Sequence, residues 1–185
     1  MLKFTILAGG FSQFIATYLF DSDASSLTLV KQTQTAGNPS WIASHPQNSS
    51  ILYAVNEIGP IGNLQSFVVG SMSTFDWRGD SHELRLGELL LRFTVPGDLL
   101  HFVKDSPVVA FPVADGVSHP HMSLEYNGEV FVPDLGADKI WRLVNDGAPG
   151  KFKIQGQIDI DAGAGPRHIA IQDNILFTLH EFTST

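Results

Sequence analysis

Short apolar runs separated by polar turn residues recur along the chain, and the clearest set lies between residues 118 and 144. The first run leads into Asn127-Gly128, which is the strongest two-residue signal for a β-hairpin. A second run stops at Pro133, and a third begins at Lys139 after a polar Asp-Leu-Gly-Ala-Asp turn. This pattern predicts three consecutive antiparallel strands that carry functional groups at their ends.

The same order of entry motif, strand, turn, strand and acidic residue occurs more than once. A later copy aligns with the first at a constant offset, which places His168 on His121 and Glu181 on Asp134. An earlier copy, with a few extra residues in its turn, ends at Glu57. A repeat of this length that is built from short strands indicates a propeller or a solenoid.

The segment Met1–Phe20 is apolar enough to suggest a signal peptide. However, its basic end is a single Lys3, and Gly9-Gly10 interrupts the apolar run early. We therefore expect two short strands joined by a turn, the second at Phe14–Phe20, and then a half-buried strand at Ser26–Lys31. No apolar run is long enough to cross a bilayer, so we predict no contact with a membrane.

Composition narrows the classes of protein to consider. A length of 185 residues predicts one domain, and a hydrophobic content of 43% is ordinary for a globular chain. The net charge of −8 argues against nucleic acid as a partner. The chain has no cysteine, which excludes disulfides and thiol chemistry and fits a cytoplasmic protein.

Three phrases carry a resemblance to a known family. They are Asn-Pro-Ser-Trp followed by Tyr-Ala-Val-Asn-Glu, His-Pro-His followed by Val-Pro-Asp-Leu-Gly-Ala-Asp, and Gly-Pro-Arg-His. In this order they resemble the lactonase family of seven-bladed β-propellers, which contains 6-phosphogluconolactonases and fungal carboxy-cis,cis-muconate cyclases. The resemblance covers residues 1–69 and 101–181 and fails between about Gly70 and Leu100.

The resemblance implies an all-β fold, a partial propeller of about four blades that are four-stranded antiparallel sheets. We expect residues 1–185 to form a single incomplete propeller domain, shortened relative to its family. Family sequence is missing from residues 71–100, so we interpret this atypical segment as replaced or misread sequence, with a lineage-specific insertion as the alternative. Its stretch Glu83–Arg92 mixes charges with leucines and could be helical.

Sugar lactones and muconate-derived acids are small molecules with an ester carbonyl or a carboxylate. Arginine pairs best with such oxygens, and histidine or a carboxylate transfers protons near neutral pH. The resemblance implies a catalytic group near the propeller axis that consists of His121, Arg167 and Glu181. Its predicted substrate-binding residues are His119, His168 and Glu57.

Other residues receive structural interpretations. Asp134 and Asp138 are expected to shape their turn through hydrogen bonds to the backbone. We predict no metal site, because His119 and His121 have no carboxylate cluster or further spaced ligand beside them. No cofactor is expected either.

Three functions remain open. As a lactonase, the protein would use Arg167 to polarise a lactone carbonyl while His121 or Glu181 activates water. As a muconate cyclase-like isomerase, it would use Arg167 to bind a carboxylate while an acid protonates carbon. As an inactive, shortened paralogue or fragment, it would have no catalytic activity. The expected partner is a small anionic or sugar-lactone substrate, and uncovered blade edges predict self-association.

Overall fold

The computed structural model describes residues 2–58, 61–70, 75–85, 88–90, 94–95, 97–103, 107–112, 118–148 and 150–184. These residues contain strands, turns and bends but no helix, so the all-β prediction is confirmed. A helix of the length and apolarity needed to cross a membrane is accordingly absent from the described part of the chain. The strands are β1 (Lys3–Ala8), β2 (Phe14–Asp21), β3 (Ser26–Gln34), β4 (Pro39–His45), β5 (Asn48–Asn56), β6 (Ile61–Val69), β7 (Phe75–Arg85), β8 (Glu88–Leu90), β9 (Thr94–Val95), β10 (Asp98–Phe102), β11 (Val108–Ala110), β12 (Leu124–Tyr126), β13 (Glu129–Asp134), β14 (Lys139–Asn145), β15 (Phe152–Asp159), β16 (Pro166–Gln172) and β17 (Ile175–His180).

The strands fall into two compact units, and the first contains Met1–Arg85 and Thr94–Val103. Strands β1, β2 and β3 form a three-stranded sheet, strands β4 to β7 form a four-stranded sheet, and β9 pairs with β10. All of these pairings are antiparallel. The alternation of side chains along each strand brings apolar positions of β5 and β6 to one face of their sheet, and an apolar position of β2 to one face of the other sheet. The buried core cluster of this unit consists of Ile15, Leu52, Ala54 and Phe67.

The second unit contains Leu86–Phe93 and Lys104–Thr185. Strands β12 to β15 form the second four-stranded antiparallel sheet, β16 pairs with β17, and β8 pairs with β11. Two of the sheets in the protein therefore have the four strands that the sequence predicts. The core of this unit packs apolar residues of β11 and the position after it against β13 and β14, and its buried members are Val109, Phe111, Val130, Val132, Trp141 and Leu143.

Two details of the strand prediction need correction. The possible helix at Glu83–Arg92 is wrong for the part that the structure describes, which is strand in β7 and β8. The predicted stop at Pro133 is also wrong, because β13 continues to Asp134. Proline is tolerated there because its carbonyl oxygen still accepts the amide of His121 at 3.0 Å, on the side where β12 begins only at Leu124.

The hairpin turns set the true register between the repeats. Tyr126 pairs with Glu129 across one turn, and Gln172 pairs with Ile175 across the other. All four turn residues between these pairs have positive φ, between 52° and 80°, as a type I′ turn requires: Asn127, Gly128, Asp173 and Asn174. The structural offset is therefore one residue shorter than the offset read from the sequence.

This register changes which residues correspond. Arg167, and not His168, occupies the position of His121, and His180, and not Glu181, occupies that of Asp134. Equivalent backbone hydrogen bonds confirm the shift. They are Glu57 N to Asn38 O at 2.9 Å, Leu135 N to His119 O at 3.0 Å, and Glu181 N to Gly165 O at 2.8 Å. The correspondence of Glu57 with Glu181 is confirmed by the same bonds.

Candidate active site

Arg167 lies in a β-bulge at the start of β16. Pro166 pairs with His180 and His168 pairs with Leu179, so Arg167 is the extra residue of the longer strand. Side chains normally alternate between the two faces of a strand, but a bulge turns one of them toward a new direction. The bulge accounts for how Arg167 and His168, although adjacent in sequence, both reach His121.

The guanidinium of Arg167 connects the three predicted catalytic residues. Its Nε donates a hydrogen bond to Nε2 of His121 at 3.0 Å and lies 3.0 Å from Oε2 of Glu181. Because Nε2 of His121 accepts this bond, the neutral tautomer with its proton on Nδ1 is assigned to the ring. The structure thus brings together His121, Arg167 and Glu181.

The terminal nitrogens of the arginine differ from its Nε in their contacts. Neither terminal nitrogen of Arg167 makes a hydrogen bond to a residue that the structure describes. The side chain is 32% exposed and that of Glu181 is 41% exposed, so both can be reached from solvent. A planar fork that is held at Nε and open at its terminal nitrogens suits the oxygens of a carboxylate, an ester or a phosphate.

His168 is the fourth member of the cluster. Its ring centroid lies 5.2 Å from that of His121, with the two rings inclined at 69° as in an edge-to-face contact. Burial lowers the pKa of His168, the positive charge of Arg167 lowers it further, and the carboxylate of Glu181 raises it in part. The imidazole is therefore neutral at pH 7 and can accept a proton.

We expect the ring of His168 to titrate with a midpoint below its ordinary pKa of 6.5. Since the folded pKa is lower than the unfolded one, the unfolded chain binds more protons in the window between them. The contribution of His168 to stability is complete above pH 6.5 and is lost as the pH falls through this window. An NMR titration of the histidine ring protons, assigned with His168→Gln, measures the midpoint, and a midpoint at or above 6.5 would contradict the prediction.

His119 and Glu57 are the remaining two predicted site residues. The His119 ring makes no hydrogen bond, ion pair or ring contact with a described residue, although its backbone N and O bond Asp134 and Leu135. Glu57 belongs to the first unit, where its amide bonds Asn38 O. A substrate-binding role for His119, His168 and Glu57 stays a prediction.

Asp134 holds the strand end next to the His-Pro-His motif. Its side chain is fully buried, and its Oδ1 accepts hydrogen bonds from the amides of Gly136 and Ala137 in its own turn, as predicted. The carboxylate also accepts bonds from the amide of His119, from Oγ of Ser118 and from Nε1 of Trp141. This side chain therefore fixes the backbone that leads to His121.

Asp138 bonds outside its own turn, which the sequence does not indicate. Its two carboxylate oxygens accept hydrogen bonds from the amides of Gly163 and Gly165, on the loop that leads to Arg167. No local motif marks this contact, because the partners are 25 and 27 residues away. Within the described residues, no group of three or more histidine or acidic side chains is arranged to hold a metal ion.

The chain matches the model of one known protein family. The family model for the lactonase 7-bladed β-propeller matches residues 4–88 and 103–185. The match continues through residue 88, so the expected loss of family sequence from about Gly70 onward is wrong for that part of the segment. No curated protein matches the chain.

Several solved structures share the fold at low sequence identity. A protein from Lactobacillus plantarum is 20% identical, with a TM-score of 0.79 over 99% of this chain and 61% of its own. A protein proposed to be a 6-phosphogluconolactonase from Bacteroides fragilis is 18% identical, with a TM-score of 0.75 over 97% of this chain and 61% of its own. The periplasmic gluconolactonase of Pseudomonas aeruginosa is 18% identical, with a TM-score of 0.72 over 94% of this chain and 60% of its own.

The chain thus spans about three fifths of the length of these structures. The likeness to them shows the fold, and the family model covers most of the residues with a break only between 88 and 103. The chain belongs to the lactonase family of 7-bladed β-propellers.

Proposed function

We propose that this protein hydrolyses a sugar lactone at the cluster of His121, Arg167 and Glu181. The observation that carries the proposal is the guanidinium of Arg167, which has two partners at Nε while its terminal nitrogens make no hydrogen bond to a described residue. Membership of the lactonase family supports the reaction class. Two solved relatives are named as a gluconolactonase and as a proposed 6-phosphogluconolactonase, which supports a sugar lactone as substrate.

In this proposal, the terminal nitrogens of Arg167 donate hydrogen bonds to the carbonyl oxygen of the lactone. They stabilise the negative charge that develops on this oxygen as water adds to the carbonyl carbon. The oxygen of water forms a new bond to that carbon, and the ring C–O bond then breaks. A proton passes from water to the departing ring oxygen, and the product is the open hydroxy acid.

Glu181 is the group that we assign to receive the proton from water. Its carboxylate is ion-paired with Arg167 and is partly exposed, so a water molecule can reach it. The lone pair on Nε2 of His121 is occupied by the Nε proton of Arg167, so His121 serves to orient the arginine. Proton transfer by a positioned side chain typically contributes about 10²–10⁴-fold to a rate.

We expect the wild-type protein to open an aldonolactone or a phosphorylated aldonolactone, and Glu181→Gln to lower kcat by about a hundredfold or more. The change keeps the shape of the side chain but removes its ability to accept a proton. Turnover can be followed by acid release in a weakly buffered assay. Glu125→Gln, an exposed site on β12, is the matched control and should keep full turnover.

Two outcomes would count against the proposal. One is a folded wild-type protein that opens no lactone, which would favour the inactive alternative. The other is full turnover by Glu181→Gln. Closure of muconates without lactone hydrolysis would point to the isomerase instead.

Some expectations about the whole protein stay predictions. They include a single incomplete propeller domain over residues 1–185, independence from cofactors, a cytoplasmic location and self-association through uncovered blade edges. The relative from Pseudomonas aeruginosa is described as periplasmic, so the fold alone does not decide for a cytoplasmic location.

A further inference from the structure

A single carboxylate connects the turn of one sheet to the strand that carries the arginine. Asp138 directly precedes β14, and its Oδ2 and Oδ1 accept hydrogen bonds from Gly163 N at 2.7 Å and from Gly165 N at 2.8 Å. Its backbone oxygen accepts a third bond, from Ile160 N at 2.9 Å. Hydrogen bonds to an ionised acceptor are roughly twice as strong as those between neutral groups. Asp138 thus holds the loop at three points.

The second of these contacts reaches both ends of the candidate site. Gly165 lies two residues before Arg167, and its carbonyl oxygen accepts the amide of Glu181 at 2.8 Å. Gly165 therefore connects the Asp138 carboxylate to the amide of Glu181, and Gly165 and Pro166 connect it to the backbone of Arg167. This backbone bond links the start of β16 to the end of β17, at the end of the hairpin that carries the bulge.

The position of Gly165 leaves little room for adjustment. Its φ is +66°, and a Cβ at this site would lie 2.6 Å from Cδ2 of Phe182. The ring of Phe182 occupies the space that a side chain at this position would need, and the amide of Gly165 bonds the Asp138 carboxylate. Gly163 also has a positive φ, of 79°. Glycine loses more conformational entropy on folding than any other residue, so this loop needs stabilising contacts to keep one conformation.

We infer that Asp138 is a positioning residue that aligns Arg167 and Glu181 for the lactone, acting through Gly165. This role rests on the proposed function, because it concerns the same site. Without the carboxylate, two amides would lose their acceptor, and the glycine loop could move the bulged arginine. A displacement of about 1 Å at a reacting group can cost on the order of a hundredfold in rate.

The test compares Asp138→Asn with Asp159→Asn in the full chain. Asparagine tolerates the positive φ of 49° at position 138 but places a donor where one of the two acceptor oxygens stands. Asp159 is an exposed carboxylate paired with Lys139 at 2.8 Å, so its replacement makes the same change in charge outside the loop. Far-UV circular dichroism and a thermal melt check that both variants fold.

The first measurement is amide hydrogen exchange, which needs no activity. We expect the peptide that covers residues 161–168 to exchange about tenfold faster in Asp138→Asn and unchanged in Asp159→Asn. Exchange that stays at the wild-type rate in Asp138→Asn would overturn the inference.

The second measurement is kcat/KM for a sugar lactone, in the wild-type background and in Arg167→Lys. We expect Asp138→Asn to lower kcat/KM about tenfold in the wild type and less than about twofold in Arg167→Lys, because residues that act through one another are not additive. Equal losses in both backgrounds would show a general structural role and overturn the inference. If the wild type opens no lactone, the proposed function fails, while hydrogen exchange still decides whether Asp138 orders the arginine loop.

Discussion

Replacement of Arg167 by alanine is expected to lower kcat/KM for a sugar lactone by about a hundredfold, or about 3 kcal/mol of transition-state stabilisation. The arginine supplies the donors for the developing oxyanion, and its Nε contacts both His121 and Glu181. Arg167→Lys keeps the charge but loses the planar fork, so it should remain clearly impaired. Steady-state kinetics on the purified variants measure both effects.

Arg142→Lys is a suitable control for this experiment. Arg142 is engaged in a bidentate pair with Glu129, with both contacts at 2.7 Å, and lies outside the cluster. The control should keep wild-type turnover. Full activity of Arg167→Ala would mean that the protein uses a different site.

Replacement of Asp134 by alanine is expected to lower the free energy of unfolding by about 3 kcal/mol or more. The carboxylate is fully buried and accepts five hydrogen bonds, and its removal leaves the amides of three residues and the side chains of Ser118 and Trp141 without their acceptor. A loss of this size is a large fraction of the total stability of a typical domain. Chemical denaturation, followed by the fluorescence of Trp141 and the other tryptophans, gives the value.

The matched control for Asp134→Ala is Asp159→Ala, which removes an exposed carboxylate from the same sheet. We expect it to change the denaturation midpoint little, because exposed ion pairs contribute little to stability. A midpoint for Asp134→Ala that equals that of the control would show that water replaces the carboxylate without cost.

Much of the strand order could be predicted from local signals. The Asn127-Gly128 turn depends on neighbouring residues only, so its hairpin follows from the sequence. The strand predicted at Ser26–Lys31 is present in β3, but its predicted half-buried character is wrong, because Leu27, Leu29 and Val30 are all exposed. The register between repeats could not be read in the same way. Asp173-Asn174 forms its turn without glycine. The alignment of His168 with His121 therefore gives an offset that is one residue too long.

The residues of the candidate site could be predicted from the sequence, but their geometry could not. The family motifs single out His121, Arg167 and Glu181, and the structure places them in contact. The bulge that aims Arg167 leaves no trace in a single sequence, because it depends on how two strands pair. The contact from Asp138 to the glycine loop escapes prediction because its partners are distant along the chain.

The strand pairing shifts by one residue beside the proline in these repeats. The shift separates the residue that carries the functional group from the backbone bonds that hold the repeat. The residue after the proline is Ser40, His121 or Arg167, and each lies where the pairing slips by one residue. The bonds that close the repeat nearby join backbone atoms, which any amino acid except proline can supply. A single codon change at this position can therefore exchange a hydroxyl, an imidazole or a guanidinium while the surrounding hairpin keeps its bonds.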